Sequence, residues 1–276
     1  MKNAERMMRK HFYTIFTNVM IATILFSCGA NPNNPAHLSS DTLGIGSAED
    51  SIVGGQKVLD SSIYSKFVVT VLESGGGNCT GVLIARDIVL TAAHCFSEGK
   101  PRPSSVFFGA EDGKKIERQV GVLAIHPEYY PTNFPKRHDL AILKLRAPAP
   151  EGFKTLNLHI GKKIPSGTVL TALGFGLIDH NQPVETHVSN LKIIRLRVRT
   201  IDWRDNSIYS DMTPTHGISH GDSGGPLVMV TPTSFSLVGI ASEMTAVHNV
   251  AIHTAVGPHL KWIQQTIDSV RGTPKK

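Results

Sequence analysis

One serine in this sequence stands in surroundings that suit covalent chemistry. The stretch SHGDSGGPLVMV (residues 219–230) places Ser223 directly after Asp222 and among three glycines. Glycine in such numbers indicates that the backbone must lie where a side chain would obstruct it. A serine becomes a useful nucleophile when a base takes its proton, a third group orients that base, and donors stabilise the oxyanion formed on attack. The stretch predicts a nucleophile loop if such partners exist elsewhere.

A histidine and an aspartate with suitable surroundings lie upstream. His94 belongs to TAAHC (residues 91–95) and follows the apolar run IVL, while Asp139 opens the apolar run of HDLAIL (residues 138–143). An aspartate at the start of an apolar strand can be desolvated against a histidine, which it then orients. We therefore expect Ser223, His94 and Asp139 to converge.

Short strands must position these groups. Apolar or alternating runs separated by Gly-, Pro- and Asn-rich turns recur from Phe67 onward, and regular short strands of this kind predict an all-β sandwich or barrel. Only residues 256–270 have helical spacing, with Leu260, Ile263 and Ile267 on one face. We predict a C-terminal helix packed on a β core.

Composition narrows the classes of function. With 276 residues, of which 41% are hydrophobic, the chain can form one large all-β domain or two small ones. The net charge of +6 is diffuse, and no basic stripe interleaved with aromatics suggests nucleic acid. No paired metal-ligand spacing occurs, so we expect no metal and no cofactor, with isolated histidines such as His126 and His259 in loops or at the surface.

The first 51 residues predict export followed by a tether. A basic segment, an apolar run and small residues make residues 1–28 a signal peptide, and LFSC ending at Cys28 is similar to a bacterial lipobox. An ordinary cut after Ala30 is the alternative. Residues 29–51 are rich in Asn, Pro, Ser and Gly, which is typical of a flexible pro-segment. The membrane is expected as a partner only through a lipid on Cys28.

Three cysteines are an odd number for an exported chain. If Cys28 is removed or lipidated, Cys79 and Cys95 remain, and an oxidising compartment would join them. Two buried free thiols are the alternative.

The motifs together resemble one family. IVGG (52–55), TAAHC, HDLAIL and GDSGGPL (221–227) occur in the order found in trypsin/chymotrypsin-like serine proteases. The resemblance implies two packed six-stranded Greek-key β-barrels within residues 52–276. It makes Ser223 the nucleophile, His94 the general acid and base, and Asp139 the group that orients His94. It also implies an oxyanion hole from the amides of Gly221 and Ser223.

The resemblance further implies a zymogen. In the family, the carboxylate at Asp222 pairs with the new amine released when the chain is cut before Ile52. Ser51 stands where many relatives have Arg or Lys. A separate activating protease is therefore expected.

The specificity pocket is expected to be neutral. Gly217 falls where trypsin-like members carry an aspartate, and Met244 falls where relatives usually have glycine. Together with Ile218, Ser242 and Ala251, these residues predict a preference for small or medium aliphatic side chains. The alternative is that Glu243 faces the substrate as an acidic contact and favours basic side chains. Ser242 matches the family serine that supports the buried aspartate. The alternative is that Ser242 is an ordinary serine of a strand.

Two other classes of function compete with an endopeptidase that acts on proteins or peptides as a monomer. One is a silent binding module on a protease scaffold, and the other is an esterase or a regulated protease with one partner protein as its substrate. The retained nucleophile, base, orienting carboxylate and glycines favour hydrolysis.

Overall fold

The computed structural model describes residues 54–73, 78–96, 103–109, 115–132, 134–161, 163–176 and 190–272, all within one unit that spans residues 37–276. The predicted signal peptide with Cys28, the tether and the Ser51–Ile52 bond lie outside the described residues. Within the described ranges, no helix is long and apolar enough to cross a membrane.

Strands make up most of the described elements. In chain order they are β1 (Gln56–Lys57), β2 (Val68–Glu73), β3 (Asn78–Ala85), β4 (Ile88–Thr91), β5 (Pro103–Phe108), β6 (Ile116–Ile125), β7 (Ala141–Leu145), β8 (Asn157–Leu158), β9 (Val169–Gly174), β10 (Lys192–Asp202), β11 (Ser207–Asp211), β12 (Pro226–Val230), β13 (Phe235–Thr245) and β14 (Val250–Ala255). Short 3-10 helices comprise Ile63–Lys66, Ala93–Phe96 and Gly257–His259, and the α-helix α1 comprises Leu260–Val270.

Two closed barrels of six antiparallel strands share one strand order. The first runs β2-β3-β4-β7-β6-β5, and β5 pairs again with β2. The second runs β9-β10-β11-β14-β13-β12, and β12 pairs again with β9. The short strands β1 and β8 are added beside β10 and β13. The predicted all-β fold with two Greek-key barrels is confirmed.

Burial along the strands follows the residue types. In β10 the apolar Leu196 and Val198 are buried, whereas Arg195 and Arg197 are exposed, as expected for a strand with one face on a core. Strand β4, Ile-Val-Leu-Thr, is buried at every position because both of its faces are covered. Buried apolar side chains form two clusters. One includes the interior of the first barrel and extends to residues of the second, and the other lies within the second barrel.

The predicted C-terminal helix is present and begins at Leu260. Ile263 and Ile267 are buried and join the core cluster that includes the first barrel. The preceding residues, Gly257–His259, form a 3-10 turn instead of the first turn of the helix.

His253 places an unpaired polar ring inside the second barrel. It is fully buried in β14, and neither ring nitrogen has a hydrogen-bond partner within the described part of the chain. Burial lowers the pKa of His253 from 6.5 to about 3. Between these two pH values the unfolded chain binds a proton that the folded chain excludes, so the ring lowers stability more and more as the pH falls.

We therefore predict that His253→Leu protects the protein from acid. The free energy of unfolding of the variant should fall less steeply between pH 6.5 and 3, and the gap to the parent should reach a few kcal/mol, on the order of 3, at the acid end. Urea denaturation at a series of pH values measures this. The exposed His248→Leu is the control and should follow the parent; a His253→Leu curve parallel to the parent's would contradict the prediction.

Candidate active site

The structure brings Ser223, His94 and Asp139 together. His94 Nε2 lies 2.9 Å from Ser223 Oγ, and His94 Nδ1 lies 2.7 Å from Asp139 Oδ2. Both distances are those of good hydrogen bonds. The serine hydroxyl is thus connected through the imidazole to the carboxylate, although 129 residues separate Ser223 from His94 in sequence.

The two barrels contribute different members of this set. His94 lies in the 3-10 turn Ala93–Phe96, which directly follows β4, and Asp139 lies just before β7. Strands β4 and β7 are paired, with Thr91 opposite Ala141, so their neighbouring ends hold the two groups close. Ser223 lies in the loop before β12 of the second barrel. The contact therefore forms where the two barrels meet.

Asp139 is a fully buried carboxylate with several donors. Its Oδ1 accepts from the backbone N–H of His94 at 2.8 Å, and its Oδ2 accepts from the hydroxyl of Ser242. Burial alone would raise the pKa of Asp139, but the charge of His94 and the hydrogen bonds from His94 and Ser242 outweigh it and lower the pKa. The group is therefore ionised at neutral pH and can stabilise a protonated His94.

A β-bulge aims Ser242 at this carboxylate. In the pairing of β13 with β14, Ala241 lies opposite His253 and Glu243 lies opposite Ile252, so Ser242 is the extra residue. A bulge of this kind turns a side chain out of the regular alternation of a strand. Here it directs the Ser242 hydroxyl to Asp139.

Two glycines of the nucleophile loop are required by their backbone conformation. Gly221 has φ of +93° and Gly224 has φ of +82°, a region that side chains disfavour. A Cβ on Gly224 would lie 2.1 Å from Thr91 Oγ1. The loop leaves the amides of Gly221 and Ser223 without a hydrogen-bond acceptor among the residues that the structure describes. They are available to a ligand.

Thr80 connects the first barrel to this loop, although it was not among the predicted site residues. Its backbone N–H donates to Ser223 O at 2.8 Å, and its hydroxyl donates to Gly221 O at 2.7 Å. The neighbouring Cys79 forms the predicted disulfide with Cys95, which follows His94. The disulfide is thereby confirmed, and its position next to Thr80 was the one available signal.

Asp222, the residue before Ser223, is buried. Its Oδ1 accepts from Gly176 N at 2.8 Å and its Oδ2 from Ser219 N at 2.7 Å. Burial raises the pKa of Asp222 to about 6, although these bonds and the positive charge of Lys192 act against the rise. The ammonium of Lys192, itself buried, donates to Gly176 O at 2.8 Å. Ile52, the predicted partner, lies outside the described residues.

A cleft of about 300 Å³ opens next to Ser223 and His94. Of the residues predicted for the specificity pocket, Ile218, Ser242 and Met244 line it. Gly217 and Ala251 are not among the lining residues. Ala251 is fully buried opposite Met244 in the β13–β14 ladder, and the side chain of Met212 packs against the position of Gly217.

An ion pair lies across one side of this cleft. The ammonium of Lys136 contacts the carboxylate of Glu243, and the Lys136 backbone N–H donates to Glu243 Oε2 at 2.8 Å. Both side chains line the cleft. Lys136 has no sequence signature and was missed, because its role depends on a contact between residues 107 apart. The alternative prediction had Glu243 contact a basic group of the substrate. In the structure its carboxylate is paired with Lys136.

Linked in this way between two β-barrels, the three groups define a serine hydrolase. The sequence profile of the family described as Trypsin matches residues 52–263. Cathepsin G of Mus musculus is 28% identical over 242 residues, which cover 80% of this chain and 87% of that protein. The vitellin-degrading protease of Bombyx mori is 28% identical over 253 residues, covering 84% and 91%.

A solved structure agrees in fold. Neuropsin, a serine protease expressed in the limbic system of mouse brain, superposes with a TM-score of 0.64 at 22% identity, over 78% of this chain and 99% of that one. The family match spans well over half of the 276 residues. The chain belongs to the trypsin family and is a serine endopeptidase.

We predict that Thr80→Val loosens the contact between the first barrel and the nucleophile loop. The change keeps the shape of the side chain but removes the hydroxyl that donates to Gly221 O and accepts from the Phe175 N–H. The free energy of unfolding should fall by about 1–3 kcal/mol. Urea denaturation measures it, with Thr70→Val, a buried threonine of β2, as the matched control. Equal losses in the two variants would contradict the role assigned to Thr80.

Proposed function

We propose that Ser223 is the nucleophile, His94 the general base and acid, and Asp139 the group that orients His94, in an endopeptidase that works through an acyl-enzyme. The observation that carries this is the continuous hydrogen-bonded relay from Ser223 Oγ through His94 to Asp139, with distances of 2.9 and 2.7 Å. Each neighbouring pair in the relay is already close enough for proton transfer.

In acylation, His94 Nε2 takes the hydroxyl proton as Ser223 Oγ forms a bond to the carbonyl carbon of the substrate. The carbonyl π electrons move onto its oxygen, and the amides of Gly221 and Ser223 donate to that oxyanion. The negative Asp139 stabilises the imidazolium that has formed. When the oxyanion collapses, the C–N bond breaks and His94 gives its proton to the leaving amine.

Deacylation repeats these steps with water. His94 removes a proton from water as the water oxygen attacks the acyl carbon, and the same two amides hold the second oxyanion. Collapse of this intermediate breaks the ester bond, and the proton on His94 returns to Ser223 Oγ. The products are two shorter peptides and unchanged enzyme.

Covalent labelling tests this role and separates the enzyme from a silent binding module. We predict that an organophosphonate probe labels the activated protein, that Ser223→Ala abolishes labelling, and that Ser223→Ala or His94→Ala lowers kcat by about ten thousandfold or more. The measurements are mass spectrometry and peptide hydrolysis. Ser234→Ala, at an exposed loop serine, should behave like the parent. If the parent protein is folded and cleaved before Ile52 but is not labelled, the proposal is wrong.

We propose a neutral specificity pocket that prefers small or medium aliphatic side chains before the scissile bond. The cleft beside Ser223 is lined by Ile218 and Met244, and its carboxylate, Glu243, is paired with Lys136. An unpaired acid would be needed to bind Lys or Arg strongly. Met244 narrows the space available to a large ring.

We predict that Met244→Gly widens the pocket. The kcat/KM ratio of substrates with Phe over substrates with Val at this position should rise by about tenfold or more, since a few methylenes of pocket space change selectivity by this amount. Peptide substrates that differ only at this position measure it, and Met229→Leu, on the neighbouring strand β12, is the control. Dominant cleavage after Lys or Arg by the parent would refute the neutral pocket.

We propose that the chain is made as a zymogen that cleavage before Ile52 activates. Asp222 is buried next to Ser223, and its raised pKa marks a carboxylate that would gain from a further cation. A new amine at Ile52 would supply it, and a buried carboxylate that lacks its cation is strongly destabilising. The charge of Lys192 acts on Asp222 in the same direction before any cut.

Cleavage at a designed site tests activation. With a specific protease site in place of the residues before Ile52, we predict that cutting raises kcat/KM by about a hundredfold or more, and that Asp222→Asn removes most of the gain. Lys192→Met is the comparison variant, because it removes the other cation and leaves the new amine. An uncut chain as active as the cut one would show that Ile52 is not needed.

We also propose that residues 1–28 direct export and that residues 29–51 form a tether. If Cys28 carries a lipid, the tether is its link to the protease domain, because Cys79 and Cys95 are used in the disulfide. Cutting before Ile52 then activates the enzyme and releases it from the membrane in one step. Mass spectrometry of the active form checks this, and an acyl chain still attached to it would reject release.

A further inference from the structure

Three histidines that are distant in sequence meet behind the candidate active site. His126 follows β6, His138 immediately precedes Asp139, and His259 ends the turn before α1. One ring nitrogen from each lies within 4.8 Å of the others, and among the described residues they form a group able to hold a metal ion. The sequence predicted isolated histidines and no metal. His126 and His138 are 12 residues apart, and His138 and His259 are 121 residues apart. These separations match no recognisable spacing of metal ligands.

The separations of the rings match those around a tetrahedral ion. The ring centroids of His126 and His138 are 4.8 Å apart, and each lies 5.2 Å from that of His259. Three imidazoles on a tetrahedral zinc, with Zn–N bonds of about 2.0–2.1 Å, have centroids about 5 Å apart. The cluster is already close to the size that such an ion needs.

One of the three rings also has the outer hydrogen bond typical of a zinc ligand, and a second has a carboxylate nearby. His259 Nδ1 lies 2.7 Å from Ala255 O, so this nitrogen carries the proton and Nε2 presents its lone pair. That Nε2 lies 3.0 Å from His138 Nδ1. On the far side of its ring, His138 Nε2 lies 3.6 Å from the carboxylate of Glu128. Carboxylates and carbonyls in these positions orient metal-bound histidines.

Burial favours the uncharged rings that a metal requires. His126 and His259 are buried, and burial of an imidazole disfavours its charged form. His138 is 23% exposed and Glu128 is 72% exposed, so solvent reaches the cluster from this side. Water from this side is the candidate fourth ligand.

We propose that His126, His138 and His259 form a site for Zn²⁺, with water as the fourth ligand and Glu128 as the outer carboxylate. An all-imidazole set selects zinc and its neighbours among the transition metals over magnesium or calcium. Binding requires the rings to turn, since those of His126 and His138 are only 13° from parallel.

The bound ion joins three segments that surround Asp139. His138 is the residue before that carboxylate, and the backbone N–H of His126 donates to Leu140 O at 3.0 Å on its other side. His259 attaches both to the start of α1. Zinc therefore clamps the segment that carries Asp139 between β6 and the C-terminal helix, and it raises the melting temperature by mass action.

Metal titration of tag-free protein, with Ser223→Ala to prevent self-digestion, tests the site directly. We expect one equivalent of Co²⁺ to bind with the intense visible bands of a four- or five-coordinate ion, and Zn²⁺ to displace it. His138→Asn, at the partly exposed ligand, should weaken binding by about a hundredfold or more. His94→Ala and His248→Ala are the controls and should bind like the parent, which excludes the active-site ring and a surface ring as ligands.

X-ray absorption at the zinc edge gives a second readout that needs no variant. Three imidazole nitrogens and one oxygen in the first shell would support the site. An oxygen-dominated shell, no binding at all, or binding that survives both His138→Asn and His259→Gln would overturn it. None of these readouts depends on peptide hydrolysis, so their outcome is separate from that of the proposed catalytic roles.

Discussion

A negative charge kept away from water is the constraint on which the site depends. Asp139 has no exposed surface, and it stays ionised because His94 donates to it from both backbone and ring while Ser242 donates its hydroxyl. Losing any one donor leaves a buried lone pair unsatisfied. The positions of the turn after β4, the start of β7 and the bulge in β13 are therefore linked to one another through a single carboxylate.

This constraint explains why the chain needs two barrels in contact. His94 and Asp139 come from the first barrel, whereas Ser242 and Ser223 come from the second. Thr80 fastens the two from the first-barrel side with its bonds to Ser223 and Gly221. Neither barrel alone contains the full set of groups.

Local patterns predicted the fold and part of the site. Strands and helices follow from patterns among neighbouring residues. Such patterns predicted the strands β4 and β10 and the helix that buries Ile263 and Ile267. The convergence of Ser223, His94 and Asp139 was predicted because each lies in a motif beside an apolar strand.

Contacts between distant residues could not be predicted in the same way. Thr80 and Lys136 act through partners far along the chain and occupy no recognisable motif. The three histidines of the proposed zinc site looked isolated for the same reason. The exact lining of the cleft also escaped prediction, since whether Gly217 or Ala251 reaches it depends on how Met212 and β14 pack.

The bulge at Ser242 fixes the number of residues in strand β13. Strand β13 must carry one residue more than its partner between Ala241 and Glu243, or the hydroxyl that meets Asp139 would rotate to the opposite face. Many substitutions within β13 would keep this register, whereas a single insertion or deletion beside Ser242 would change it. We therefore expect changes of length to be tolerated in the loops at the ends of the strand and not within it.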